Sequence, residues 1–230
     1  MCARFSISSP LDMLRTLFSF SPDFHFSPSY NIAPGSQVPI IRQDIATGKA
    51  VVSIAQWGLI PGWSDVSKPR SNLINARLET IDVKPSFKRA FAGQRCLIPC
   101  TGYYEWKTDS LGEKQPYLIF SAPNPLFFFA GLWDKGSGPQ EHDLDCCTIV
   151  TTEATGTPAE IHSRMPLTVT RDYFKEWLGG IDRTSVPVSS YRETFTYYPV
   201  HKKVGNVRYN TADLIKKIDL DEQPSQGSLF

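Results

Sequence analysis

Short runs rich in β-branched and aromatic residues, closed by turn residues, most constrain what this chain can fold into. They fall at Val38–Arg42, Val51–Gly58, Arg95–Ile98, Gly102–Trp106, Tyr117–Phe120, Phe127–Leu132 and Cys147–Thr151, and each reads as a strand. With 15 Gly and 18 Pro spread through 230 residues, elements must be short and turns frequent. Helical periodicity interrupts the strands at about 72–91, at 171–178, which Gly179 and Gly180 end, and at 211–217. Ser8-Ser9-Pro10 predicts the cap of a first helix over 11–18, with apolar residues at 11, 14, 17 and 18. Residues 22–35 are rich in Pro and Ser and read as loop. Many strands with few helices predict an α+β fold, a curled β-sheet or β-barrel core with peripheral helices. No compositional shift divides the chain. One domain is expected over 1–218, with a polar tail at 219–230 that frays.

Charge and cysteine usage narrow the function classes. The net charge is +1, with 24 Lys and Arg against 23 Asp and Glu. That excludes a protein that coats long duplexes and leaves room for a local basic patch holding a few nucleotides. The longest apolar run, 125–133, is well short of the roughly 20 residues that span a bilayer. No basic stretch followed by an apolar core opens the chain, so no secretory signal and no membrane partner are expected, and the cytoplasm is the expected compartment. The five cysteines, Cys2, Cys96, Cys100, Cys146 and Cys147, are odd in number and lack Cys-x-x-Cys spacing. Neither a disulfide framework nor a metal site is expected; Cys96, Cys100, Cys146 and Cys147 read as plain buried or half-buried thiols.

Cys2 differs from the others in position. Removal of Met1 would leave a thiol and a free α-amine on adjacent carbons. Their ordinary pKa values, about 8.5 and about 7.7–8.0, leave both partly deprotonated near neutrality. Such a 1,2-aminothiol condenses with an aldehyde to an imine, and the thiol then closes a five-membered thiazolidine. By position alone, Cys2 is as readily an accident of the start codon. A nucleophile of this kind needs proton donors and acceptors. Of the four histidines, His25 and His142 sit in polar loops, whereas His162 lies in Glu160-Ile-His-Ser-Arg-Met-Pro166, a turn that presents side chains beside Arg164. Glu105 sits among aromatics in Gly102-Tyr-Tyr-Glu-Trp106. Desolvation there raises a carboxyl pKa and suits a general acid, unless the strand turns Glu105 to water. Asn75 and Arg77 belong to a polar cluster near the expected helix at 72–91. Arg4, Arg77, Arg164, Lys202, Lys203 and Arg208 are available for a positive patch. Trp63, beyond a Gly/Pro turn, is the better candidate to stack on a base, and Trp57 reads as core.

Taken in order, Met1-Cys-Ala-Arg-Phe5, Tyr30-Asn-Ile-Ala-Pro34, Trp57-Gly-Leu-Ile-Pro-Gly-Trp63, Ile74-Asn-Ala-Arg-Leu-Glu-Thr80, Gly102-Tyr-Tyr-Glu-Trp106, Ile161-His-Ser-Arg-Met-Pro166 and Val204-Gly-Asn-Val207 resemble the SOS response-associated peptidase (SRAP) family. The resemblance covers nearly the whole chain. It implies a protein that binds abasic sites in single-stranded DNA and forms a covalent thiazolidine through the N-terminal Cys, shielding the lesion. It also implies autoproteolytic loss of the initiator Met, a monomer, and no metal or organic cofactor. Carried across by resemblance, Cys2 is the nucleophile, Asn75 orients it or the sugar, Glu105 is the acid/base, and His162 assists proton transfer and reversal. By the same resemblance Arg4, Arg77 and Arg164 contact phosphates, and Pro34 and Trp63 lie along the bound strand. One departure is Ala3, where the family usually has Gly; the added methyl narrows the space beside the nucleophile. Two other functions use the same residues: an N-terminal-nucleophile peptidase or amidase acting on peptides, and a non-covalent single-strand binder for which Cys2 is irrelevant.

Overall fold

The structure, a computed structural model, describes residues 2–9, 14, 18, 25–44, 46–61, 73–136, 144–186 and 194–220. The expected first helix, apart from Leu14 and Phe18, lies outside the described residues, as do Trp63, His142 and the tail beyond Leu220.

The strands run β1 (Arg4–Ile7), β2 (Ser29–Ile32), β3 (Gln37–Gln43), β4 (Ala50–Trp57), β5 (Asn75–Arg77), β6 (Arg95–Cys100), β7 (Gly102–Thr108), β8 (Lys114–Ser121), β9 (Phe127–Gly136), β10 (Leu144–Glu153), β11 (Arg164–Pro166) and β12 (Phe195–Pro199), with helices α1 (Pro85–Gly93) and α2 (Phe174–Gly179). One sheet has the order β12-β8-β7-β1-β2 and is antiparallel throughout. The other runs β11-β10-β4-β3-β6-β9. In it β9 pairs again with β10, from Leu144↔Gly136 to Ile149↔Gly131, so β10, β4, β3, β6 and β9 close into a ring. The pairings of β10 with β4 and with β5 are parallel. The fold is therefore α+β with a curled, ring-like sheet, as expected. At Gly131, on β9, an added Cβ would lie 2.8 Å from the Cys96 Sγ and 2.9 Å from the Ile98 Cδ1; only glycine fits so close an approach.

The two sheets share a buried core. Phe5 of β1 meets Trp57 and Phe129 edge-on at 5.2 and 5.8 Å, and Tyr103 of β7 meets Phe129 and Phe195 at 6.0 and 5.8 Å. Such pairs add about 0.5–1.5 kcal/mol each beyond burial. The opposite face of the five-stranded sheet carries a smaller cluster, in which Tyr104 and Leu118 pack against Val200, Val204 and Leu214 of the C-terminal segment.

Where the sequence predicts strands, strands form, generally longer by a few residues. The helix expected over 72–91 is corrected. Asn75–Arg77 pair as β5 with β10, Leu78–Thr80 form one 3-10 turn, and α1 starts only at Pro85, which occupies its first turn. Proline lacks the N–H a helix interior needs but suits a first turn. Likewise 211–217 holds one 3-10 turn, Ala212–Ile215. The expected loop 22–35 contains β2, which pairs with β1. All five cysteines are buried and free. Among the described residues no helix is long and apolar enough to cross a membrane.

Candidate active site

Cys2 lies where β1 begins. Its side chain is fully buried, and its thiol makes a long contact, 3.7 Å, with the carbonyl of Arg4. Asn75 approaches from the other sheet and donates its Nδ2 to the Cys2 carbonyl at 2.8 Å. Asn75 is set by β5, whose register on β10 is Ile149↔Asn75, reinforced by the Ile149 amide donating to the Ile74 carbonyl at 3.1 Å. The Trp57 indole donates to the same carbonyl at 2.9 Å. The tryptophan read as core thus fixes the strand that presents Asn75.

Glu105 comes from β7, the neighbour of β1. The register Arg4↔Tyr104 and Phe5↔Tyr103 puts Tyr103 and Glu105, two residues apart, on the face that carries Phe5. Glu105 is 4% exposed, so it faces the interior and not water. Burial pushes its carboxyl above the ordinary 4.5, while the charge of the N-terminal amine and then that of His162 draw it back. Burial also pushes the Cys2 thiol far up, and the Glu105 charge adds to this. The carboxyl of Glu105 thus lies between two groups it acts on or is acted on by, the Cys2 thiol and the His162 imidazole.

His162 follows a 3-10 turn, Thr157–Glu160, and precedes β11. Its amide donates to the Pro158 carbonyl at 3.1 Å, closing the turn the sequence predicts. The Arg164 amide donates to His162 Nδ1 at 2.9 Å. The same Nδ1 lies 3.2 Å from the Arg164 carbonyl, so the Arg164 backbone offers this nitrogen both a donor and an acceptor.

The residues expected to meet phosphate fall into two groups. Arg77, at the end of β5, is exposed. Arg4 donates to Asn31 Oδ1 at 2.8 Å and to the Val204 and Gly205 carbonyls at 2.7 and 3.0 Å. Arg164 forms a bidentate pair with Glu79, at 2.6 and 3.0 Å, and bonds the Thr151 carbonyl at 2.9 Å. Partial burial pushes the Glu79 carboxyl up, but the Arg164 bonds outweigh it and hold Glu79 below 4.5. Pro34 occupies the second position of a turn in which Ser36 N donates to the Ala33 carbonyl at 3.0 Å and Gly35 has φ 89°, the signature of a type II turn. That turn is tied to Trp57 by bonds of 2.7 and 2.9 Å.

Sequence reasoning passed over Tyr103. Its ring is fully buried, and among the described residues its hydroxyl has no hydrogen-bond partner. Burial raises its pKa, and the charges of Cys2, Glu105 and Cys100 follow in that order. Strand alternation with Glu105 was the signal that could have found it. The site thus sets a buried thiol beside a buried carboxyl on which an imidazole acts, with Arg77 exposed on the strand that carries Asn75. Among the described residues no group of His, Cys, Asp or Glu is placed to hold a metal ion.

Comparison with known proteins agrees with this architecture. The family model "SOS response associated peptidase (SRAP)" matches residues 1–207. The abasic site processing protein YoaM of Bacillus subtilis is 35% identical over 94% of this chain and 97% of its own. The abasic site processing protein YedK of Escherichia coli is 30% identical, over 95% of this chain and all of its own. A crystal structure of a protein from Bacteroides thetaiotaomicron superposes with a TM-score of 0.75 at 25% identity, over 88% of this chain and 93% of that one. A model that spans most of the residues, relatives that match end to end and a shared fold lead to one conclusion: this chain belongs to the SRAP family.

Proposed function

We propose that this protein processes abasic sites in single-stranded DNA by linking them covalently to Cys2 once Met1 is removed. The observation that carries the proposal is that Asn75 bonds the Cys2 carbonyl while the buried Glu105, itself under the charge of His162, acts on the Cys2 thiol. The names of the relatives supply the lesion.

The chemistry follows from the groups present. An abasic sugar is mostly a closed hemiacetal. Glu105, whose protonated form burial favours, donates to the ring oxygen; the C1′–O4′ bond breaks, the C1′ hydroxyl passes its proton to His162, and an aldehyde results. The Cys2 amine adds to C1′, and the carbinolamine loses water to give an imine. The Cys2 sulfur then bonds to C1′, the C=N electron pair passes to nitrogen, and the thiol proton, taken up by the Glu105 carboxylate, is handed on to that nitrogen as the thiazolidine N–H. His162 relays protons in both directions and so serves reversal. Asn75 fixes the Cys2 carbonyl and with it the direction of the amine.

Arg77 supplies an exposed cation for the phosphates. Arg4 and Arg164 are committed to intramolecular bonds, and Pro34 borders the strand's path on the turn beside Trp57. Trp63 completes the binding surface by resemblance. The protein acts as a monomer in the cytoplasm without metal or cofactor, and loss of Met1 is the peptidase step in the family name.

The test is intact mass after incubation with an abasic single-stranded oligonucleotide. The expected species has lost Met1 and gained the oligonucleotide less one water. Cys2→Ala should give none of it, and Glu105→Gln should form it at least tenfold more slowly, in the range typical of general acid catalysis. A denaturation-resistant complex with Cys2→Ala would falsify the assignment. Turnover of unrelated peptides without DNA would instead favour a peptidase.

A further inference from the structure

His162 sits midway between two residues whose side chains reach across the fold. Two positions before it, Glu160 accepts a hydrogen bond from the Tyr197 hydroxyl of β12 at 2.8 Å. Two positions after it, Arg164 pairs with Glu79 through bonds of 2.6 and 3.0 Å. The short segment that carries the imidazole is thus tied down on both sides.

The Glu79 pair links two parts of the site. Arg164 lies on β11, and Glu79 lies in the 3-10 turn Leu78–Thr80 that follows β5 directly. Between them runs β10, which pairs with β5 along one edge (Thr151↔Arg77) and with β11 along the other (Thr151↔Pro166, Glu153↔Arg164). The arginine therefore reaches over β10 and bonds the Thr151 carbonyl at 2.9 Å and the Thr151 hydroxyl at 3.3 Å on the way. Glu153, opposite Arg164 in the register, is exposed, and the arginine pairs with Glu79 instead. The pair joins the strand that presents Asn75 to the segment that presents His162.

The backbone of Arg164 in turn holds the imidazole. Its amide and carbonyl lie 2.9 and 3.2 Å from His162 Nδ1. Two parallel N–H···O bonds fix the direction of a guanidinium as well as its distance, so Arg164 cannot swing without moving the backbone that holds the ring. The Arg164 side chain is 15% exposed and that of Glu79 is 48% exposed. An ion pair this open contributes little to stability. By contrast, misplacing a reacting group by about 1 Å can slow a reaction by about a hundredfold.

We propose that Glu79 is a positioning residue: through Arg164 it holds the His162 imidazole in place for proton transfer, and Arg164 serves this pair and not the DNA phosphates. The role rests on the covalent mechanism proposed above.

Glu79→Gln keeps the side-chain length but loses the charge and one of the two accepting oxygens. At saturating abasic single-stranded oligonucleotide it should form the adduct roughly tenfold more slowly than wild type. Non-covalent affinity and its salt slope, compared between Cys2→Ala and Cys2→Ala/Glu79→Gln, should be the same. In a His162→Gln background, Glu79→Gln should slow the reaction no further, because its effect passes through the imidazole. Without DNA, the Arg164 amide should exchange at least about threefold faster in Glu79→Gln, while the Ile149 amide on β10 stays protected.

Tighter binding in Cys2→Ala/Glu79→Gln, with a salt slope steeper by about 0.7, overturns the proposal, since Glu79 would then be restraining a phosphate-binding arginine. A further tenfold loss in the His162→Gln background overturns it too, because Glu79 would act elsewhere. Unchanged exchange at the Arg164 amide overturns it whatever the rates. Failure of the covalent mechanism looks different: wild type itself would give no adduct, and exchange at Arg164 would then decide by itself whether Glu79 holds the His162 segment.

Discussion

At the residue scale, Glu105 carries a signature that can be read without DNA. Its carboxyl is buried and its pKa lies above the ordinary 4.5, with desolvation the main cause. Folding therefore favours the protonated acid relative to the unfolded chain. For a group raised in the folded state, the stabilisation is complete below the ordinary value and is lost as pH rises through the folded one. The Cys2 thiol, Tyr103 and His162 face the group. Of their charges, that of His162 lowers the Glu105 value but does not cancel the effect of burial. Thermal melts taken upward from about pH 4 should show wild type losing stability relative to Glu105→Gln, whose neutral amide mimics the acid. Parallel curves would mean that Glu105 ionises as easily folded as unfolded. This residue was legible in the sequence because an acidic side chain flanked by aromatics is rare enough to stand out. Arg164 was only half legible. Its partner Glu79 lies 85 positions away, and nothing local marks the pair.

At the element scale, β2 shows why some strands escaped notice. Ser29–Ile32 sits at the edge of its sheet, inside a Pro- and Ser-rich stretch, and becomes a strand only by pairing with β1. Its outer edge is covered by a side chain from the C-terminal segment. The amides of Tyr30 and Asn31 donate to Asn210 Oδ1 at 2.6 and 3.0 Å. The Asn31 side chain returns the contact to the Asn206 and Tyr209 carbonyls at 3.1 and 2.7 Å. An amide side chain here does what a further strand would do for an exposed edge. Asn210→Ala should therefore cost about 1–3 kcal/mol, read from denaturant midpoints. It should also speed hydrogen exchange at the Tyr30 and Asn31 amides while leaving those of β6 protected. Exchange unchanged at both amides would show that water replaces Asn210 without loss. The strands β5 and β11 were hidden for the same reason as β2: each holds three residues and exists because β10 offers it a register. Local propensity favoured helix at 72–91, and the tertiary pairing overrode it.

At the scale of the whole molecule, closure of the ring depends on β9 meeting β10 and on β4 running parallel to β10. Alternation along a strand reveals a buried face but not which distant strand lies beside it. A curled sheet could thus be expected from the sequence, whereas the order of its strands could not. The same scale governs how DNA is held. The chain carries a net charge of only +1, and two of the arginines matched to phosphate positions are tied into the protein, Arg4 to the C-terminal segment and Arg164 to Glu79. The proposed site is thus short and weakly cationic, and the proposed covalent bond would supply most of its lasting grip. Non-covalent binding, measured with Cys2→Ala on an abasic strand, should then fall with salt on a shallow slope. Each phosphate contact contributes about −0.7 to the logarithmic slope for single strands, so two or three contacts give roughly −1.4 to −2.1. Arg77→Ala should flatten the slope by about 0.7 and weaken binding uniformly across sequences. The wild-type adduct, once formed, should ignore salt altogether. A steep slope that Arg77→Ala leaves unchanged would move the DNA-binding surface away from β5, and Lys202, Lys203 and Arg208 would become the residues to substitute next.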